Sequence, residues 1–290
     1  VVISQHFYDF SGENLSPRPS CPDALNLLAG TIVMFGFKRR RRQRVRNRPF
    51  PSEWISIIER NIPYYRRLTP EDRKELQGHV LVFLDEKKFE GCGGLEITDE
   101  IRVTIAAQAC ILLLHRDTDY FPLLTSILVY PHQYFAQASH RLPGGAIHEN
   151  VEGRLGESWY RGPVVLSWDD ILRGAADPHD GYNVVLHEFA HQLDSESGST
   201  EGAPVLPEKS MYGPWARVLS REYENLLRNL RHNHQSLIDA YGAESPAEFF
   251  AVVTELFFEK PAALKHRHPE LYAQLAAFYR QDPAGPSGHG

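Results

Sequence analysis

Two histidines and a glutamate stand inside an otherwise apolar run at residues 182–194, YNVVLHEFAHQLD. His187, Glu188 and His191 spell H-E-x-x-H. In a helix, positions four apart lie one turn apart on one face, so the two imidazoles would point the same way. Two imidazoles so placed can grip one Zn2+, and the glutamate between them can act as general base on a metal-bound water. Val184, Val185, Leu186 and Phe189 make the segment a core helix, where unpaired His and Glu would be costly.

Such a centre needs a third protein ligand. One solution is a third histidine six residues after the second, but that position is Ser197, and the accompanying glycine position holds Asp194. The alternative is a glutamate from a separate downstream helix. Residues 246–259, PAEFFAVVTELFFE, offer Glu248 and Glu255, seven apart and so on nearly the same helical face. A carboxylate buried in so apolar a helix is costly unless it is paired or bound to a metal. Glu248 has a second reading, because Ser245-Pro246-Ala247-Glu248 is a capping box with Ser245 as cap. Capping and ligation are compatible, since a carboxylate has two oxygens. Asp194, three residues after His191, lies on the ligand face. It is either an acceptor for an imidazole N–H that sets the tautomer, or an ordinary polar residue at a helix end. His179, His232, His234, His266 and His268 have no motif around them and read as surface residues. Cys92 and Cys110 read as packing residues.

The elements that must position these groups can be drawn from periodicity. Residues 52–61 place Trp54, Ile57 and Ile58 on one face. Thr69, Pro70, Glu71 and Asp72 open a helix that should run to about residue 88. After the breaker GCGG at 91–94, a buried helix is expected over 99–115. Residues 125–130 read as a strand. Residues 150–160 and 163–168 read as a hairpin around Arg161 and Gly162. The more polar arm, with Gly153 and Gly156, is expected to be an edge strand forming the upper wall of a substrate cleft. The H-E-x-x-H helix is expected over 181–194, followed by helices at 214–231, 246–259 and 269–281. The fold class is therefore α+β: a small mixed sheet packed on helices, just before the metal-type helix.

The 290 residues and 42% hydrophobic content suit a soluble globular chain. Residues 38–48, KRRRRQRVRNR, carry eight positive charges and no negative one, so the net charge of −6 hides a more acidic body. The arm lacks interleaved aromatics, and nucleic acid is not the expected partner. No apolar segment reaches the ~20 residues of a membrane span. Cys21, Cys92 and Cys110 form neither a disulfide framework nor a cysteine zinc site. The expected compartment is a reducing cytoplasm. By domain, 1–33 read as a disordered leader or a mis-assigned start, with Met34 the expected beginning. Residues 34–51 read as a basic arm, 52–282 as a zincin-like peptidase domain, and 283–290 as a disordered tail.

HEFAHQLD, the later DAYGAESPAEFFAV and the earlier FEGCGGLEITDEIRVTIAAQACILLL together resemble the Mlc titration factor A family of zinc peptidases, gluzincin-like enzymes. The resemblance runs from about residue 34 to 282. The tyrosine-to-glutamate spacing is also similar to that of the catalytic domain of anthrax lethal factor. The resemblance implies His187, His191 and Glu248 as the ligands of one Zn2+ per chain. It makes Tyr241 the matching tyrosine, a donor to the oxyanion or else a packed loop residue. Glu255 then supports a ligand from behind or faces the core. The implied activity is aminopeptidase-type hydrolysis of a peptide substrate, with Glu188 as general base. The family name also implies an alternative, a regulatory protein that binds a transcriptional repressor and has weak or no peptidase activity.

Overall fold

A computed structural model describes residues 37–132, 162–176 and 180–285. The chain divides into two units between Gln43 and Arg44. Residues 37–46 are helical (α1), and 37–40 are exposed to solvent. Among the described residues no helix is long and apolar enough to cross a membrane.

In the second unit the first layer is helical. α2 (Ser52–Asn61) buries Ile58. α3 (Pro70–Glu86) starts where the sequence says it must: the Thr69 side chain accepts from Asp72 N at 3.1 Å, Pro70 opens the first turn, and Glu71 and Asp72 face the helix dipole. α4 (Asp99–Ile111) is capped by Thr98 and buried at Ile101 and from Val103 onward, as its nearly all-round apolar surface requires. It stops four residues short of the expected end and gives way to turns.

The sheet differs from expectation. β1 (Lys88–Gly91), β2 (Ser126–Tyr130) and β3 (Val164–Ser167) lie in the order β1-β2-β3. Both pairings are parallel, with Phe89 opposite Ile127 and Val129 opposite Leu166. The described strands are thus a parallel sheet and not a mixed one. The reason is connectivity: α4 carries the chain back between β1 and β2, and a crossover of that kind makes neighbours parallel. The expected hairpin arm at 150–160, and with it the proposed cleft wall at Gly153 and Gly156, lies outside the described residues; its other arm is β3. Lys87 pins the start of β1. Its ammonium, 8% exposed in the residue as a whole, donates to the carbonyls of Phe121 (2.7 Å) and Leu124 (2.6 Å), just before β2.

After β3 come α5 (Trp168–Ala176), α6 (Val184–Ser195), α7 (Tyr212–Arg231), α8 (Pro246–Glu259), α9 (Pro261–Arg267) and α10 (Pro269–Tyr279). Two aromatic clusters hold the layers. Phe83, Phe121 and Phe189 join α3, the segment before β2, and α6. Trp215, Phe250 and Phe278 join α7, α8 and α10. Gly202 ties three helices at one point. Its N–H donates to Asp194 Oδ2 at the end of α6, and its carbonyl accepts from Trp215 Nε1 of α7. Its φ of +72° suits glycine, and a Cβ there would stand 2.4 Å from the Pro246 carbonyl at the start of α8.

Candidate metal centre

α6 and α8 pack against each other, and the candidate ligands meet where they do. Asn183 fixes the start of α6: its Oδ1 accepts from Leu186 N at 3.1 Å. One turn later His187 and four residues on His191 project on the same face, with Nε2 atoms 3.2 Å apart. α8 begins at Pro246 with Ser245 as cap, its Oγ accepting from Glu248 N at 3.1 Å. Glu248 thus leaves the first turn of α8. Its Oε2 lies 3.0 Å from His187 Nε2 and 3.3 Å from His191 Nε2. The capping reading of Glu248 holds for its backbone, while its carboxylate turns to the histidines. One donor atom from each of His187, His191 and Glu248 lies within 4.8 Å of the other two.

Glu255, two turns along α8, approaches the same imidazole from behind. Its Oε1 is 2.8 Å from His187 Nδ1, and its Oε2 accepts from Asn183 N at 2.5 Å. A carboxylate on the far nitrogen of a metal-type histidine fixes the tautomer and ring orientation. The role expected of Asp194 is therefore filled by Glu255. Asp194 is fully buried and accepts from Gly202 N at 2.8 Å; among the described residues no imidazole donates to it. At the last turn of α6 its donors are amides of the returning loop; burial pushes its pKa up, and the Gly202 and Ala203 amides counter only part of that rise.

The electrostatics favour a positive charge at the junction. Burial opposes protonation of His187, but its bonds to Glu248 and Glu255 outweigh burial and push its pKa up to about 10. Burial likewise opposes ionisation of Glu248, and the two histidines overcome it and hold the carboxyl at about 2. Two imidazole nitrogens and a carboxylate oxygen, in a field that holds a cation, are a donor set that fits Zn2+. These three residues would hold the ion.

Glu188 is half-buried, and its charge acts on both His187 and Tyr241. Tyr241 sits in a 3-10 turn, Ala240–Ala243, capped by Asp239, whose Oδ1 accepts from Tyr241 N. Its ring centroid is 5.8 Å from that of His187, and 47% of the residue is exposed. Burial of its hydroxyl and the negative Glu248 push the tyrosine up to about 12, so it remains a donor at neutral pH. A cavity of about 470 Å3 opens beside these groups, lined by Tyr182, Val184, His187, Tyr241, Val252 and Glu255.

Elsewhere His232, His234 and His266 are exposed as expected, and His179 lies outside the described residues. His268 is half-buried and pairs with Glu222 at 2.9 Å, so it is not a free surface residue. Cys110 is buried and Cys92 partly so; neither is in a disulfide. The residue that sequence reasoning passed over is Asn183, which caps α6, donates its backbone N–H to Glu255 and its Nδ2 to Glu259. An asparagine directly before an apolar helical run is a start signal that marks it.

Residues 37–280 match the family described as glucose-regulated metallo-peptidase M90. An uncharacterised protein of Synechocystis sp. is 41% identical over 244 residues, 84% of this chain and 89% of its own length. Proteins called Mlc titration factor A are similar over nearly as much. That of Klebsiella pneumoniae is 33% identical over 227 residues, 77% of this chain and 84% of its own. That of Escherichia fergusonii is 32% identical over 225 residues, with the same coverage.

Proposed function

The chain belongs to the glucose-regulated metallo-peptidase family, and from that premise we propose that it is a zinc-dependent peptidase of aminopeptidase type, acting on short peptides in a reducing cytoplasm. The reading rests on one observation above the others: His187, His191 and Glu248 converge from two helices on one point, with Glu255 behind His187. Zinc, when bound there, supplies Lewis acidity toward a carbonyl oxygen and lowers the pKa of water. His187 and His191 would hold it through Nε2, and Glu248 through a carboxylate oxygen. Glu188 takes the proton of the attacking water and returns it to the leaving amine. Tyr241 donates its hydroxyl to the oxyanion that develops on the scissile carbonyl. The two free cysteines fit the reducing compartment.

The test is Glu188→Gln beside the wild type, with metal analysis and a fluorogenic peptide panel. The variant should keep about one zinc per chain and lose hydrolysis. A wild type that binds no zinc, or a variant that cleaves at the wild-type rate, sinks the reading.

A second reading follows from the name Mlc titration factor A carried by relatives. In it the chain binds a transcriptional repressor, and the zinc is structural. Repressor binding by both forms, with no peptide cleaved by either, favours this reading over the first.

A further inference from the structure

The metal centre makes no use of the basic run at residues 38–48, eight positive charges with no negative one. α1 carries the start of it. The described part of the first unit, residues 37–43, is helical throughout. Phe37, Lys38, Arg39, Arg40 and Arg41 are exposed, Phe37 to 66%. Residues three and four apart share a helix face, so Phe37 stands beside Arg40 and Arg41. Lys38 to Arg42 are consecutive cations, a run that repels itself and attracts an anionic counterpart. The residues before the run decide which counterpart. Residues 27–37, LLAGTIVMFGF, hold no charge and end with Met34, Phe35 and Phe37. This stretch is too short to cross a bilayer, which takes about 20 apolar residues. An apolar stretch joined directly to a basic one has the composition of a segment that lies in a bilayer interface. A nucleic-acid backbone would be met by the cations alone, with no apolar phase for Phe37 to enter and no aromatic within 38–48 to stack on bases.

We propose that the exposed face of α1 docks on the surface of an anionic phospholipid bilayer. The Lys38 ammonium and the guanidinium groups of Arg39, Arg40 and Arg41 lie among the lipid phosphates, and the Phe37 ring enters the apolar layer beneath them. Each cation close to such a surface strengthens binding about fivefold, and the attraction decays over about 8 Å at physiological salt. The rest of the chain is acidic and is repelled by the same surface, which confines the contact to the arm. The proposal does not rest on the peptidase reading.

The test is flotation of the full chain with vesicles of phosphatidylcholine alone, or of equal parts phosphatidylcholine and phosphatidylglycerol, at roughly 0.15 M salt. The chain should bind the anionic vesicles, and the neutral ones at least about tenfold more weakly. Arg39→Gln combined with Arg40→Gln should weaken binding to anionic vesicles at least about tenfold. Phe37→Ser should weaken it at least about threefold, while leaving unchanged any binding to a DNA duplex of mixed sequence, read by fluorescence anisotropy. These substitutions change only exposed side chains, so the variants should melt with the wild type. Equal binding to the two kinds of vesicle, or binding to neither, overturns the proposal. So does a Phe37→Ser chain that floats as the wild type does, because no side chain would then enter the bilayer. Duplex binding tighter than anionic-vesicle binding at the same salt assigns the arm to nucleic acid and overturns the proposal as well.

Discussion

At the scale of the residue, Glu248 and Glu255 divide one task between them. They lie seven apart on α8 and reach opposite nitrogens of the same imidazole. The division separates two kinds of variant. Glu248→Ala removes a candidate ligand and should abolish stoichiometric zinc binding. Glu255→Gln leaves all three ligands but puts an amide where Asn183 N–H and His187 Nδ1 both expect an acceptor. Zinc affinity should fall about 10–100-fold, the usual penalty for losing such support. Competition with a chromogenic chelator reads both. Tyr241→Phe should leave zinc in place and lower kcat about a hundredfold or more, as removal of an oxyanion donor does elsewhere. A Phe variant with wild-type kcat would return Tyr241 to a packing role. The two histidines that converge with Glu248 were legible because H-E-x-x-H is a local pattern, whereas Glu248 and Tyr241 were singled out by the family resemblance. Which of two carboxylates meets which nitrogen was not legible, because seven residues apart on a helix fixes a face and not a reach.

At the scale of the element, caps near and far from the centre can be set against each other. Asn183→Ala and Thr69→Ala each remove one side-chain cap, worth about 1 kcal/mol. Both should lower stability to urea by roughly that amount. Only Asn183→Ala should also weaken zinc, because α6 carries both histidines. A second contrast lies in α3. His79 is 1% exposed, with Nδ1 2.8 Å from Tyr120 Oη and Nε2 3.3 Å from Glu75. Burial lowers its pKa, against the pull of Glu75. Its contribution is therefore fully present above the unfolded value near 6.5, and is lost as pH falls from there toward the lower folded value. Between pH 7.5 and 5.5 the wild type should lose more stability than His79→Gln, which titrates at neither end. Equal losses would assign the acid sensitivity to other groups. Most helices were legible from caps and prolines, and α2 and α8 fall on their expected bounds. β1 was not, because the four residues of KFEG are too few for their alternation to stand out, and its parallel pairing with β2 is what makes it a strand. α9 was also missed, since seven residues opening on Pro261 show too little periodicity to separate from a turn.

At the scale of the whole molecule, the candidate ligands come from α6 and α8, far apart in sequence, and Glu255 locks the two helices through His187 and Asn183. Zinc binding should therefore act as a clamp on the folded unit. At a free zinc concentration a hundredfold above its Kd, linkage adds about 2.7 kcal/mol. For a unit of this size that is a rise in Tm of roughly 5–10 °C, reversed by chelation. A melting curve indifferent to zinc would argue against His187, His191 and Glu248 acting together. Sequence patterns located the α8 glutamates but not the packing of α6 on α8 that brings them to the histidines.

Gly202 carries a further consequence, and it concerns time. Its amide lies in the irregular stretch between α6 and α7, where backbone protons ordinarily trade with solvent quickly. This one is held by a buried carboxylate, its carbonyl is held by an indole, and a Pro246 carbonyl closes over its Cα. It should be released only when α6, α7 and α8 part company. Separating α6 from α8 is also the motion that frees a metal ion held between them. Deuterium uptake at Gly202 and the escape rate of zinc should then share one activation enthalpy, two clocks driven by a single opening.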